Sequence, residues 1–255
     1  SPVLESKMKA ASRASSLSRR NFLKGVASLA PMIVPASALG LDGAVAPSNR
    51  ITIGCIGVGG QGGSNMRAFL AQRGAQVVAV CDVDCKQRDS AKAVVDAQYG
   101  DDGCISYNDF REIITREDID AVSIGTPDHW HAVITIAAAK SGKDIYCEKP
   151  LSLTIAEGRA MVDAVHAYGR VLQTGTWRRS RSGCRRACEL VRNGRIGELK
   201  KIVIGVPRGF AVRNGEQSEL EKPQPIPEGF DYDMWLGPAP WAEYAPGRCH
   251  FNFRW

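Results

Sequence analysis

From Asn49 onward the chain alternates short apolar, β-branched runs with stretches of helical spacing. The run Arg50-Ile51-Thr52-Ile53-Gly54-Cys55-Ile56 reads as a strand entering a glycine-rich turn, and residues 64–73 then read as helical. Residues 75–84, AQVVAVCDVD, form a second buried run, followed by a helical stretch over 85–98. Residues 101–114 read as a connection and a helix near 108–115. DIDAVSIGTP is a strand stopped by Pro127, a helix spans about 130–140, and KDIYCEKP is the next strand. Thr154 with Glu157 three residues on predicts a capping box. Met161, Val162 and Val165 continue that helix at its proper spacing and Gly169 closes it, ahead of a further strand in RVLQTGT. Wholly apolar strands alternating with helices predict an α/β fold, a doubly wound parallel sheet covered on both faces.

After Gly175 the texture changes. A helix is expected over about 182–193, ending at Gly194, and ELKKIVIGVP over 198–207 alternates as an edge-like strand. Residues 207–249 are rich in Pro, Gly, Trp and Tyr and read as a long ordered loop, before a final aromatic run, HFNFRW. This organisation predicts a dinucleotide-type domain over 49–175. Over 176–255 it predicts the beginning of a second, α+β domain with an open, mainly antiparallel sheet that this chain leaves incomplete.

Ahead of both lies a different kind of segment. Phe22 to Leu41 is apolar but broken by Lys24, Gly25, Pro31 and Pro35, too punctuated for a stable membrane span. A basic stretch, a short apolar stretch and Ala36-Ser37-Ala38 match a signal peptide with a small-residue cleavage site. Ser18-Arg19-Arg20-Asn21-Phe22-Leu23-Lys24 resembles the twin-arginine type, so residues 1–48 are expected to be an export signal and linker, read by the twin-arginine machinery, with a periplasmic destination. That route resembles one that moves proteins already folded, so a bound dinucleotide can travel with the chain.

Charge supports this division. The net charge is +6, but residues 1–50 hold seven Lys/Arg and two acids, leaving 26 basic and 25 acidic residues, net +1, for the rest. A nearly neutral body offers no footprint for a nucleic-acid backbone. Of the eight cysteines, Cys55, Cys81 and Cys147 sit in strand-like runs and read as small buried hydrophobes. Cys81/Cys85 and Cys184/Cys188 have no second half at zinc-site spacing, so no metal site is expected.

Two motifs carry chemistry. Gly57-Val58-Gly59-Gly60-Gln61-Gly62 is G-x-G-x-x-G between a strand and a helix. The first glycine permits the tight turn, the second lets backbone approach a diphosphate, and the third lets helix pack on strand. Asp82, twenty residues past Gly62, is placed to accept from both ribose hydroxyls, which favours NAD, while Lys86 and Arg88 nearby keep NADP open. An S-adenosylmethionine methyltransferase shares such a loop and acid. Glu148-Lys149-Pro150 ends a later strand, where strand ends face a ligand crevice, so the Lys149 ammonium can polarise a substrate oxygen or move its proton. Glu148 can pair with Lys149 or a neighbour, and Pro150 can follow a cis bond.

These motifs, with TPDHWH at 126–131 and GTWRRS at 175–180, occur in one order. In that order they resemble the glucose–fructose oxidoreductase / inositol dehydrogenase / rhizopine-catabolism (Gfo/Idh/MocA) family over about residues 50–255. The resemblance implies NAD(P) in the first domain, sugars or cyclitols as substrates, and homo-oligomers when the chain is full length. It implies that Lys149 contacts substrate and nicotinamide. Thr126, Pro127, His131 and Glu148 would lie by the nicotinamide ribose, and Arg179 near cofactor or substrate. Trp177 occupies a position usually filled otherwise. The family's relay acid and histidine match nothing before Trp255; His250 lies in an aromatic run and is expected to pack.

The reading that joins these features is an exported, cofactor-retaining oxidoreductase that moves hydride between a carbinol carbon and nicotinamide. Two alternatives stand beside it: a family glycosidase or lyase using transient redox, and a non-catalytic dinucleotide-binding scaffold. Replacing Arg19 and Arg20 with Lys is expected to hold the protein in the cytoplasm, read by cell fractionation. Unchanged export would overturn the leader assignment.

Overall fold

A computed structural model describes residues 39–41, 45–205 and 222–250. The twin-arginine run, the cleavage site at 36–38 and the last five residues lie outside the described residues. Residues 48–255 form one compact unit.

Six parallel strands build the sheet, in the order β3-β2-β1-β4-β5-β6. They are β1 (Ile51–Ile56), β2 (Ala75–Cys81), β3 (Ile105–Tyr107), β4 (Ala121–Ile124), β5 (Asp144–Cys147) and β6 (Leu172–Thr174). The order reverses between β1 and β4, and in such sheets the ligand crevice opens above the strands' C-terminal ends at that point. One helix follows each strand but the last: α1 (Gly60–Leu70), α2 (Cys85–Tyr99), α3 (Phe110–Ile114), α4 (His131–Lys140) and α5 (Ile155–Ala167). Asp84, Asp109 and Thr154 cap α2, α3 and α5 with their side chains, and the Thr154/Glu157 capping box is formed at both ends. Helix α6 (Ser182–Arg192) and the short α7 (Tyr232–Leu236) complete the described elements.

Two apolar cores flank the sheet. One packs Ile53, Cys55, Val77 and Val80 against Met66 of α1 and Val95 of α2. The other packs Ile56, Val122 and Ile124 against Ile113, Ile134 and Val165 of α3, α4 and α5. Burial pushes the thiol of Cys55 up to about 12 and that of Cys147 up to about 11, so both behave as hydrophobes. All eight cysteines are free thiols.

Five expectations change. Residues 105–107 form a strand, where a connection was predicted, because three residues are too few to show a period-2 pattern. Helix α1 begins at Gly60, four residues early, because the glycine loop itself turns into the helix. Residues 198–205 form no strand and Ile202, Val203 and Ile204 are exposed: no described strand pairs with them, and a strand without a ladder partner does not hold. The segment predicted as a long loop over 207–249 contains α7 in its described part and packs as a strap on the end of β2. Among the described residues, no antiparallel sheet follows β6; the single antiparallel contact is the bridge between Asp84 and Phe230.

The tightest point of the fold is the β1–α1 junction. A Cβ on Gly62 would fall onto the Gly57 carbonyl oxygen and lie 2.9 Å from its carbon, and a Cβ on Gly57, whose φ is +75, would meet the Thr126 nitrogen at 2.5 Å. Every obstacle is backbone, so no rotamer relieves it. Gly62→Ala is therefore expected to cost about 3 kcal/mol of stability, read as a lower urea midpoint at unchanged slope; an unchanged midpoint would mean the junction is looser than described.

Candidate active site

The cleft above the sheet's C-terminal edge has a volume of about 1320 Å³. That exceeds the roughly 300–1,000 Å³ of ordinary small-ligand pockets and suits a dinucleotide with a second ligand. Gly57, Gly59, Gly60 and Gln61 line it at the β1 end, Asp82 at the β2 end, and Thr126, Pro127 and His131 at the β4 end. Glu148 and Lys149 line it above β5, and Arg179 beyond β6. Eleven of the twelve residues singled out in the sequence thus share one cleft. Gly62 does not line it; its place is the helix–strand contact already described.

At the β1 end, α1 starts without any side-chain cap on Gly59. The first helical hydrogen bond runs from Gly63 N–H to the Gly59 carbonyl, leaving the N–H groups of Gly60, Gln61 and Gly62 without an acceptor. The Gln61 side chain turns along the helix to Asn65 (2.9 Å) and leaves them uncovered. Bare N–H groups on the positive end of a helix bind an anion such as a diphosphate.

Asp82 has a second task beside the ribose contact expected of it. Its Oδ2 accepts from Val58 N (2.9 Å) and its Oδ1 from Asp84 N (3.0 Å), so the carboxylate holds the glycine loop to the β2–α2 turn. Burial pushes its carboxyl up, against the lowering effect of those bonds.

Above β5, Glu148 is buried and does not pair with the Lys149 ammonium. Its Oε1 accepts from Asn65 Nδ2 at 2.9 Å. A Cβ on Gly175 would lie 2.7 Å from that oxygen, which is why the chain crosses this point with glycine. Lys149 itself is exposed on the cleft, with a cis bond to Pro150. His131 opens α4, as its position predicts, and is buried with Nδ1 2.6 Å from the Pro150 carbonyl and Nε2 2.9 Å from the Thr126 carbonyl. A ring N–H donates to one of these carbonyls, and the ring packs between the two loops with both nitrogens turned to backbone and not to a substrate.

Three contributors were missed. Asn65 showed only as a polar residue one turn past Gln61. The strap and His129 gave no local signal. Asp231 N donates to the Val83 carbonyl and Cys85 N to the Gly229 carbonyl, both at 2.9 Å, and Asn108 Nδ2 donates to Asp231 Oδ2 at 2.7 Å. His129 Nε2 lies 2.9 Å from the Trp235 carbonyl and Trp130 Nε1 donates to the Met234 carbonyl at 3.1 Å. Phe230, Met234 and Trp235 thereby wall the cleft near Asp82. His250 lines the same wall with its Nε2 3.7 Å from Asp84, where packing alone was expected. The TPDHWH loop thus serves as the strap's anchor as well as a cleft wall.

The family comparisons agree with this geometry. Residues 51–176 match the model described as an oxidoreductase family with an NAD-binding Rossmann fold, GFO_IDH_MocA, and residues 181–255 match that family's C-terminal alpha/beta domain. The inositol 2-dehydrogenase of Azotobacter vinelandii is 35% identical over 150 residues, 58% of this chain and 43% of that protein. The alpha-N-acetylgalactosaminidase of Shewanella oneidensis is 32% identical over 165 residues, 57% of this chain and 36% of its own length. The crystal structure of scyllo-inositol dehydrogenase from Lactobacillus casei, with NAD(H) and scyllo-inositol bound, superposes with a TM-score of 0.52 at 27% identity, over 58% of this chain and 43% of that one. The chain thus spans less than half the length of these relatives. It belongs to the Gfo/Idh/MocA oxidoreductase family.

Burial depresses the pKa of His129, and its Nδ1 is buried without a partner. The neutral ring's support for the strap is in place above the free imidazole value of about 6.5 and is lost as pH falls through the lower folded value. Hydrogen exchange at 229–236, corrected for intrinsic rates, should therefore accelerate as pH falls below about 6.5. The acceleration should vanish in His129→Gln; its persistence there would assign the pH response to another group.

Proposed function

We propose that this member of the family binds NAD along the sheet edge and exchanges hydride between it and a carbinol carbon of a sugar or cyclitol. The observation that carries the reading is that the bare N–H groups of α1 and the exposed Lys149 ammonium open on one cleft. The residues fit the cofactor: the glycine loop admits backbone close to a diphosphate, and Asp82 is within reach of an adjoining ribose. When bound, NAD supplies hydride exchange with carbon.

The chain's own residues do the rest. Gly60 and Gln61 N–H groups hold phosphate oxygens. Glu148, fixed by Asn65, keeps an acceptor at the floor beside Lys149. Lys149 assists proton transfer at the substrate oxygen: as the amine it takes up the hydroxyl proton during oxidation, becoming the ammonium, and as the ammonium it returns that proton during reduction, with a partner base from the second domain. His131 fixes both loops, so that the ammonium meets a positioned substrate. The strap excludes water from the β2 end of the cleft and slows cofactor loss. Retention of that kind suits the export signal of residues 1–48, and we extend the reading to a periplasmic protein carried across with its dinucleotide. The reading also takes 176–255 as the beginning of a substrate and oligomerisation domain.

A second reading is net hydrolysis or elimination of a glycoside through transient oxidation. The likeness to the Shewanella oneidensis alpha-N-acetylgalactosaminidase favours it. The two differ in whether NADH accumulates during turnover.

Lys149→Ala is expected to lower turnover of an inositol by about 10²–10⁴-fold while NAD affinity stays within about threefold. Turnover by stopped-flow absorbance and affinity by calorimetry separate the two effects. Unchanged turnover would remove Lys149 from the chemistry, and loss of the fold by circular dichroism would make its role structural.

A further inference from the structure

One feature of the cleft is left unexplained by a neutral polyol. Trp177, Arg178 and Arg179 line it beside Lys149, just past the end of β6. Two guanidinium groups lie over the Trp177 indole, Arg178 at 4.3 Å and Arg181 at 4.5 Å from the ring centre. Stacking fixes the planes of both cations while leaving their N–H edges free to donate.

These cations are uncompensated. Among the described residues no carboxylate lies within ion-pair distance of Lys149, Arg178 or Arg179, the three lysine and arginine side chains that line the cleft. Glu148, the acid adjoining Lys149, is buried and held by Asn65. The imbalance extends outward: residues 177–195 carry seven arginines and one glutamate, while the remainder of 51–255 is net −5.

Position separates this cluster from the cofactor's own phosphates. The diphosphate site is at the end of β1, three strands from β6, and the Asp82 ribose site is at β2, four strands away. At about 4.8 Å per strand these are roughly 14 and 19 Å distant. The cations therefore face whatever occupies the cleft beyond the nicotinamide.

We propose that the substrate is anionic: a sugar or polyol bearing a carboxylate or a phosphate. Its anionic group is taken by the forked donors of Arg178 and Arg179, and its carbinol is presented to Lys149. Guanidinium groups bind such groups bidentately, and a converging positive field raises the local concentration of an anion. The inference rests on the hydride-transfer reading above.

The test uses the whole chain saturated with NAD, titrated calorimetrically at low ionic strength with glucose, glucuronate and glucose 6-phosphate. At least one anionic sugar should bind about tenfold or more tightly than glucose, as charge-assisted hydrogen bonds would give. Preference for glucuronate assigns a carboxylate and preference for glucose 6-phosphate a phosphate. At saturating NAD, Arg178→Gln with Arg179→Gln should bring the anionic sugars down to the affinity of glucose, with the unfolding midpoint unchanged. Equal binding of all three sugars, or a preference that survives the double substitution, would overturn the proposal. Failure of the wild-type chain to bind NAD would instead overturn the hydride-transfer reading on which it stands.

Discussion

The contact on which the site depends is backbone against backbone. Gly57, Gly62 and Gly125 meet where β1, α1 and the β4 loop converge, so closely that a Cβ on Gly125 would lie 2.5 Å from the Gly62 Cα. This approach lets α1 begin directly over the end of β1. It also leaves the helix's first N–H groups with neither cap nor cover. An uncapped helix start in a closed fold leaves donors unsatisfied. Here Gly60 and Gln61 line a large cleft, where a bound anion would satisfy their donors.

From that junction the cleft divides into two ends of opposite character. The β2 end is acidic and walled: Asp82 and Asp84 line it, and the strap closes it with Phe230 and Trp235. The β6 end is basic, with Lys149, Arg178 and Arg179. Two carboxylates at the β2 end disfavour a phosphate there, whereas cations at the far end favour an anion. Between the ends, His131 couples the β4 and β5 loops through two carbonyls. The Lys149 loop is thus packed against a buried ring from the start of α4.

Local chemistry made much of this legible in the sequence. The β-branched runs located five of the six strands, the Thr154/Glu157 pair fixed a helix start to the residue, and the glycine spacing marked the β1–α1 turn. The site residues are near one another because strand C-termini share an edge, a rule that needs only topology. What stayed hidden depends on contacts between distant segments. Asn65 and Glu148 are 83 positions apart, and His129 and Trp235 are 106 apart. Ile202 to Ile204 show the opposite failure: their alternation is that of a strand, but a strand exists only when another pairs with it.

The central claim is that backbone N–H groups at the start of α1 hold the diphosphate of NAD. The most direct measurement is an amide-resolved NMR titration of the protein with NAD. The largest shifts should fall on the N–H signals of Gly59, Gly60, Gln61 and Gly62, with a second group at Val83 and Asp84. Saturable binding that moved other amides and left the Gly57–Gly62 signals in place would contradict it.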